Sequence, residues 1–264
     1  TYDYYLNTHS RDSYDDLGST IRSIVNYDSL TKCPNASWVG SRSIMVFCDD
    51  MTDADDVIAH ELTHAVTQYS VGEHQEGLIY MAQSGALNES YSDVFAAMVD
   101  RQNWLIGEDL YFPNPIRNMK NPTLLEHPDH MNHSFYIDYV PPCNDDNDLC
   151  GVHTNSGVPN KAAYLLGELG AHQHYGVIVN GIGREKTEQI YYNTLLNYLY
   201  PTTNFYADWM LTIQSCQELI GQYGIIAPDC DEVKKAFLAV GVNFIQDFVG
   251  QNSYDYLGSS VSNA

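Results

Sequence analysis

The sequence predicts an α+β protein, with a small α/β piece, a central helix and a mainly helical second lobe. Three observations carry this. Residues 36–48 read as extended chain, with S-I-M-V-F as a buried strand. Residues 55–69 form an amphipathic helix behind an acidic start, T-D-A-D-D, whose carboxylates sit at the positive end of the helix dipole. Beyond residue 155, helical patterns recur over about 156–170, 183–199, 205–220 and, more briefly, 230–240.

The remaining elements follow in order. Residues 1–26 alternate polar and aromatic side chains around R-D-S-Y-D-D and end in a stretch, I-R-S-I-V, read here as helical. A polar break at 72–77 follows the central helix, and a second helix begins near Gly85 in G-A-L-N-E-S-Y-S-D-V-F. Residues 107–151 are loop-rich, with prolines at 113, 115, 122, 128, 141 and 142. Residues 245–264 end rich in Gly and Ser and read as a loosely held tail. The expected units are 1–71, which includes the central helix, a helical lobe over 72–244, and the tail at 245–264.

Composition narrows the function. A chain of 264 residues with 44% hydrophobic and 17% charged residues can bury a substantial core. Its 34 acidic against 12 basic residues give a net charge of −22. That charge repels phosphate and argues against nucleic acid or an anionic membrane as partner. It suits a soluble exported protein and the binding of hard cations. No stretch approaches the roughly 18 apolar residues of a membrane span. The six cysteines contain no C-x-x-C and fall into three local pairs, 33–48, 143–150 and 216–230. They are read as disulfides formed in an oxidising compartment, although pattern alone allows fifteen pairings. Together these point to a secreted protein. The opening T-Y-D-Y-Y-L carries no signal peptide, so a processed form of a longer protein is expected.

The chemistry centres on V-I-A-H-E-L-T-H. His60 and His64 are four apart, so a helix puts both imidazoles on one face with Glu61 between them. Val57, Leu62, Val66 and Tyr69 can then pack inward while the histidines face a cleft. Catalytic zinc takes three protein ligands from imidazole and carboxylate. The next helix supplies Glu89 as the third, and Asp93, one turn on, can hold the free N–H of a ligand histidine. Downstream, G-V-H-T-N-S-G places His153 in a turn-rich loop with Asp148 nearby, an orienting pair for an imidazole.

A-H-E-L-T-H, G-A-L-N-E-S-Y-S-D and G-V-H-T-N-S-G followed by N-K-A-A-Y-L resemble the thermolysin family of secreted neutral metalloendopeptidases. The likeness is nearly collinear from Thr1 to about Val242 and takes in T-Y-D-Y-Y, N-A-S-W at 35–38 and G-I-G-R at 181–184. Thermolysin is itself the standard example of a zinc site made by two histidines and a glutamate. The resemblance implies a thermolysin-like fold, with zinc on His60, His64 and Glu89 and Glu61 as general base. It makes Tyr80 and His153 the stabilisers of the oxyanion, with Asp148 orienting His153. It places Asn35 and Ala36 on an extended peptide or protein substrate, and Arg117 on a substrate carbonyl. Val57, Leu110 and Ile116 would wall an apolar pocket after the scissile bond.

The family's paired calcium positions correspond to Asp56, Asp100, Asn103, Leu105 and Glu108. Leu105 offers no donor and only three carboxylates remain, so one calcium ion is expected.

Two departures stand out. The stretch between His64 and Glu89 is a few residues longer than usual, with V-G-E-H-Q-E as the extra length and His74 read as surface. Much of the family's N-terminal β-rich lobe is absent, so an N-terminal segment or propeptide is expected in the full-length protein. Of the sequons at Asn35, Asn88 and Asn132, only that at Asn132 lies outside a functional motif. Two competing readings are a catalytically silent relative that binds peptides and a zinc aminopeptidase. Glu61, Tyr80 and His153 favour an enzyme over the first, and no motif for anchoring a free amine supports the second.

Overall fold

A computed structural model describes residues 1–29, 32–110 and 115–243. The expected tail at 245–264 lies outside the described residues. Helix α1 (Tyr2–His9) opens the chain. Strands β1 (Ser23–Tyr27), β2 (Ala36–Val39) and β3 (Ile44–Cys48) form one sheet in the order β1-β3-β2. β1 runs parallel to β3 and β2 antiparallel to it, with Ala36 opposite Phe47 and Trp38 opposite Met45. β2 is therefore an edge strand.

The stretch at 21–25, expected to be helical, is in fact largely strand. Ile24, Val25 and Tyr27 prefer a pleated surface, and pairing with β3 supplies what five residues cannot gain as an isolated helix. Every residue of β1 is exposed, so the burial pattern that would have identified it is missing. Helix α1 was not anticipated either. It rests on tertiary contact, with Tyr5 fully buried beside Phe95 and hydrogen-bonded to Thr63.

Helices α2 (Asp55–Ser70) and α3 (Ala82–Val99) form the centre. On α2, Ala59, Leu62, Ala65 and Val66 are buried. On α3 burial runs almost all round, from Gln83 to Met98, because α2, α5, α6 and α7 surround it. A helix that hides all its faces can hold charged groups only where they are paired, which is how Glu89 and Asp93 are used. Short strands β4 (Leu105–Ile106) and β5 (Arg117–Asn118) pair next and deliver Arg117 towards the centre.

The second lobe contains α4 (Asp148–Asn155), α5 (Gly157–Gly167), a hairpin of β6 (Gly170–His174) and β7 (Val177–Gly181), then α6 (Arg184–Asn197), α7 (Phe205–Glu218) and α8 (Ala227–Ala239). The helix expected over 156–170 thus stops at Gly167, and a hairpin follows it. Helix α8 starts three residues earlier than expected, with Pro228 in its first turn, where a missing N–H costs nothing. Disulfides join Cys33–Cys48, Cys143–Cys150 and Cys216–Cys230. The last ties α7 to α8.

Candidate metal centre and substrate cleft

Helix α2 presents His60 and His64 on one face, and α3 crosses it with Glu89. His60 Nε2 lies 3.0 Å from His64 Nε2, and Glu89 Oε2 and Oε1 lie 3.3 Å from His60 Nε2 and His64 Nε2 respectively. Ligands about 2.0–2.1 Å from a tetrahedral ion stand roughly 3.3–3.4 Å apart, so these spacings fit one zinc ion. Among the described residues this is the one cluster of three or more His, Cys, Asp or Glu donors within 4.8 Å of each other.

The far nitrogens of both rings are held. His60 Nδ1 meets Asp93 Oδ1 at 2.8 Å, and His64 Nδ1 meets Asn88 Oδ1 at 2.8 Å. Both partners are acceptors, so each Nδ1 carries the proton and each Nε2 lone pair points at the common centre. Four donor groups fix Asp93 itself: Arg117 Nε (2.6 Å) and a second Arg117 nitrogen (2.7 Å), Asn160 Nδ2 (2.7 Å) and His60. Burial pushes the Asp93 carboxyl up, but Arg117 and His60 more than offset it and hold it down at about 2. Arg117 is buried and its guanidinium is held well above its usual range by Asp93 and Glu89, despite burial. This ion cluster is fully buried and internally paired, which keeps the histidines from turning.

Glu61, on the same face of α2, is 5% exposed, and its Oε2 has no partner among the described residues. Buried carboxylate oxygens normally find a donor. This one lines the cleft beside the metal centre, where only an incoming molecule can meet it. Tyr80 donates to Glu89 Oε1 at 2.5 Å and stands 2.9 Å from His153 Nε2. Burial and Glu89 push the Tyr80 phenol far up, so it stays a proton donor.

His153 Nδ1 meets Asp148 Oδ1 at 2.6 Å. Asp148 Oδ2 accepts from the backbone N–H of His153 and of Thr154 and from the Thr154 hydroxyl. Burial pulls the His153 imidazole down, but the bond to Asp148 outweighs it, and the net shift is upward. The loop achieves this by an unusual local shape. Asp148, Leu149, Cys150 and Gly151 all have φ between 49° and 88°, a left-handed turn that only Gly adopts without strain. The Cys143–Cys150 bond and an Asn147 cap on Cys150 N–H hold it there.

The cleft has a volume of about 640 Å³ and is lined by Asn35, Ala36, Val57, His60, Glu61, His64, Tyr80, Glu89, Ile116, Arg117 and His153, among others. Leu110 does not line it. Its side chain is buried and, like that of Ile116, crowds the space beside Gly107. Asp148 acts from outside the cleft through His153. Asn88, Asn160 and Trp38 were missed by reading the sequence. Asn88 falls inside the N-E-S-Y-S-D motif without a role assigned from sequence, and with Ser92 it lies on one helical face towards His64. No spacing rule links Asn160 to Asp93, because the two are 67 residues apart.

Two crossed helices that offer His-x-x-x-His and a glutamate to one point, with a spare buried carboxylate alongside, define a metallopeptidase-type centre. Residues 1–68 match the family model "Thermolysin metallopeptidase, catalytic domain", and residues 76–242 match "Thermolysin metallopeptidase, alpha-helical domain". The chain belongs to the thermolysin family of metallopeptidases.

It is 45% identical to Bacillolysin of Brevibacillus brevis, over 92% of this chain and 44% of that protein. It is 42% identical to Thermostable neutral protease NprT of Geobacillus stearothermophilus, over 91% of this chain and 43% of that protein. It is 40% identical to Extracellular elastase of Staphylococcus epidermidis, again over 92% of this chain and 44% of that protein. The chain thus spans less than half the length of these relatives. Among solved structures, the precursor of protealysin, a metalloproteinase from Serratia proteamaculans, superposes with a TM-score of 0.70 at 30% identity, covering 92% of this chain and 75% of that one.

Proposed function

We propose that this chain carries the catalytic centre of a secreted zinc endopeptidase that cleaves internal peptide bonds before an apolar residue. The observation that carries the reading is the unpartnered, buried Glu61 Oε2 beside the His60–His64–Glu89 centre. Zinc, when bound there, would supply Lewis-acid polarisation of the carbonyl and an acidified water, with a pKa of about 7. Glu61 would take the proton from the attacking water and pass it to the departing amine. Tyr80 O–H and His153 Nε2–H would donate to the carbonyl oxygen as it gains charge. Asp148, accepting from His153 Nδ1–H, stabilises the imidazolium, the form that also donates from Nε2. Arg117 braces Asp93 from within the cleft wall and can reach a substrate carbonyl. The free edge of β2, beginning next to Asn35, suits an extended substrate added as a further strand. Val57 and Ile116 offer the apolar wall, with Leu110 buried nearby, next to Gly107.

The test is an internally quenched peptide blocked at both ends, assayed alongside zinc stoichiometry. The expected result is one zinc per chain and cleavage on the amino side of Leu, Ile or Phe. Cleavage confined to peptides with a free terminus would replace this reading with an exopeptidase.

One calcium ion is proposed at the start of α2. Asp56 accepts from the N–H of Val57 (2.7 Å) and of Gly107 (2.5 Å) and faces Glu108, whose Oε2 is buried without a partner. Burial, aided by Glu108, pushes the Asp56 carboxyl up to about 7. Two carboxyls placed to repel each other are the usual antecedent of a bound cation or a shared proton. Asn103 donates to Glu108 Oε1 and uses its own oxygen on Leu105 N–H, so it would have to turn to join. Asp100 Oδ1 accepts from Gln102 N–H. Calcium added to chelator-stripped protein should raise the melting temperature by several degrees, with a single binding event. A flat titration would mean that Asp56 and Glu108 share a proton instead.

A further inference from the structure

The cleft has two chemically different ends. Val57, His60, Glu61, His64 and Gln68 all line it, so α2 forms its floor. At 1.5 Å per residue, Val57 lies about 10 Å before His64 and Gln68 about 6 Å beyond it. Val57, Ile106 and Ile116 make the first end apolar. The second end is built from Trp38, Gln68, Leu78 and the loop between α2 and α3, which contributes Glu76 and Gly77.

That loop is anchored rather than loose in form. Gly77 N–H donates to Val71 O, and Gly77 sits so close to α2 that an added Cβ would lie 3.1 Å from Gln68 Cα. Gly72, at φ +84°, leaves the space that the Glu76 carboxylate fills, since a Cβ there would meet Glu76 Oε2. Trp38 Nε1–H donates to Gln68 Oε1 at 2.7 Å, which fixes the indole at this end of the cleft.

Glu76 itself is exposed, and among the described residues its carboxylate has no recorded ion pair or hydrogen bond. The cleft contains no Lys, and its one Arg, Arg117, is committed to Asp93. An exposed carboxylate on a cleft wall that also carries an indole suits an incoming ammonium or guanidinium by charge.

We propose that Glu76, on the Trp38–Gln68 end of the cleft, gives this cleft a preference for a Lys or Arg side chain upstream of the scissile bond. The proposal rests on the endopeptidase reading and its apolar pocket at the Val57 end. An extended substrate advances about 3.3 Å per residue, so the position reached is roughly two residues before the bond that is cut.

The experiment uses pairs of blocked, internally quenched peptides that differ only by Lys or Gln at each of the three positions before the scissile bond. The readout is the Lys-to-Gln ratio of kcat/KM within each variant, so a general loss of activity cancels. The wild type should favour Lys by about two- to fivefold at one position, the size of an exposed ion pair, and less at high salt. Glu76→Gln should bring the ratio close to one. Glu76→Lys should invert it and favour a Glu peptide. Equal ratios in wild type and Glu76→Gln overturn the proposal. So does a Glu76 effect seen only with peptides bearing a free N-terminal amine, which would make Glu76 an amine anchor. If the wild type cuts no blocked peptide, the endopeptidase reading fails on its own. The same Lys and Gln peptides, labelled and measured by anisotropy, then still decide whether Glu76 selects the cation.

Discussion

Glu61→Gln is expected to keep a full equivalent of zinc and to lose peptidase turnover by roughly 10²- to 10⁴-fold, the range for removing a positioned general base. The carboxamide has the shape of the carboxylate, and Glu61 is not one of the three converging donors, so the metal centre is untouched. What changes is basicity. An amide oxygen cannot accept the proton of the attacking water, and an amide has no proton to hand to the leaving amine. The site also offers no substitute, because the other carboxylates at the centre are already engaged. Glu89 faces both histidines and Tyr80, and Asp93 is saturated by Arg117, Asn160 and His60. Metal analysis and steady-state kinetics on the same preparation make the check. Near-normal kcat with zinc retained would mean that Glu61 is not the base. Loss of zinc together with activity would instead place Glu61 among the groups that hold the metal.

Legibility followed the range of the interactions. The zinc triad could be read because two of its members share one helical face, and the third lies on the next helix in a motif with its own regular spacing. Orientation was harder. Asp93 could be assigned to a histidine from spacing, but Asn88 and Asn160 act through contacts that no local rule announces. Leu110 and Ile116 carry the same apolar chemistry, and of the two only Ile116 is among the described residues that line the cleft.

In the fold, the errors fall where local signal and tertiary context disagree. The β6–β7 hairpin turns through Tyr175 and Gly176, both at positive φ. Asn-Gly or Asp-Gly would have advertised such a two-residue turn, and Tyr in the first place hides it. The stretch running into β1 has apolar residues at 21, 24 and 25, a helical spacing, and the strand has no buried face to contradict it. Conversely, α2 was legible because its periodicity, acidic start and buried face agree.

Glu89→Ala is expected to abolish zinc binding at working concentrations, lowering affinity by well over the ~100-fold typical of losing a mere outer partner. Glu89 faces both imidazoles and, through Oε1, receives the Tyr80 hydroxyl. With Ala, two histidines and water are left for an ion that wants three protein ligands in a catalytic site. Charge matters as much as number. His60 and His64 are neutral as ligands, so removing the one anionic donor leaves a buried dication with nothing of opposite sign in contact.

The fold should survive, because the Arg117–Asp93–Asn160 clamp does not pass through Glu89, and Leu87, Tyr91 and Phe95 keep α3 in the core. Far-ultraviolet circular dichroism should therefore match the wild type while metal analysis finds no zinc. Glu89→Asp is the informative companion. It restores the charge about one methylene short, and should recover part of the affinity if the carboxylate is a direct ligand. Full zinc occupancy in Glu89→Ala would move the third donor elsewhere. The first alternative would be His74, the one histidine in the loop between α2 and α3, which is exposed where it stands and would have to swing inward to reach the metal.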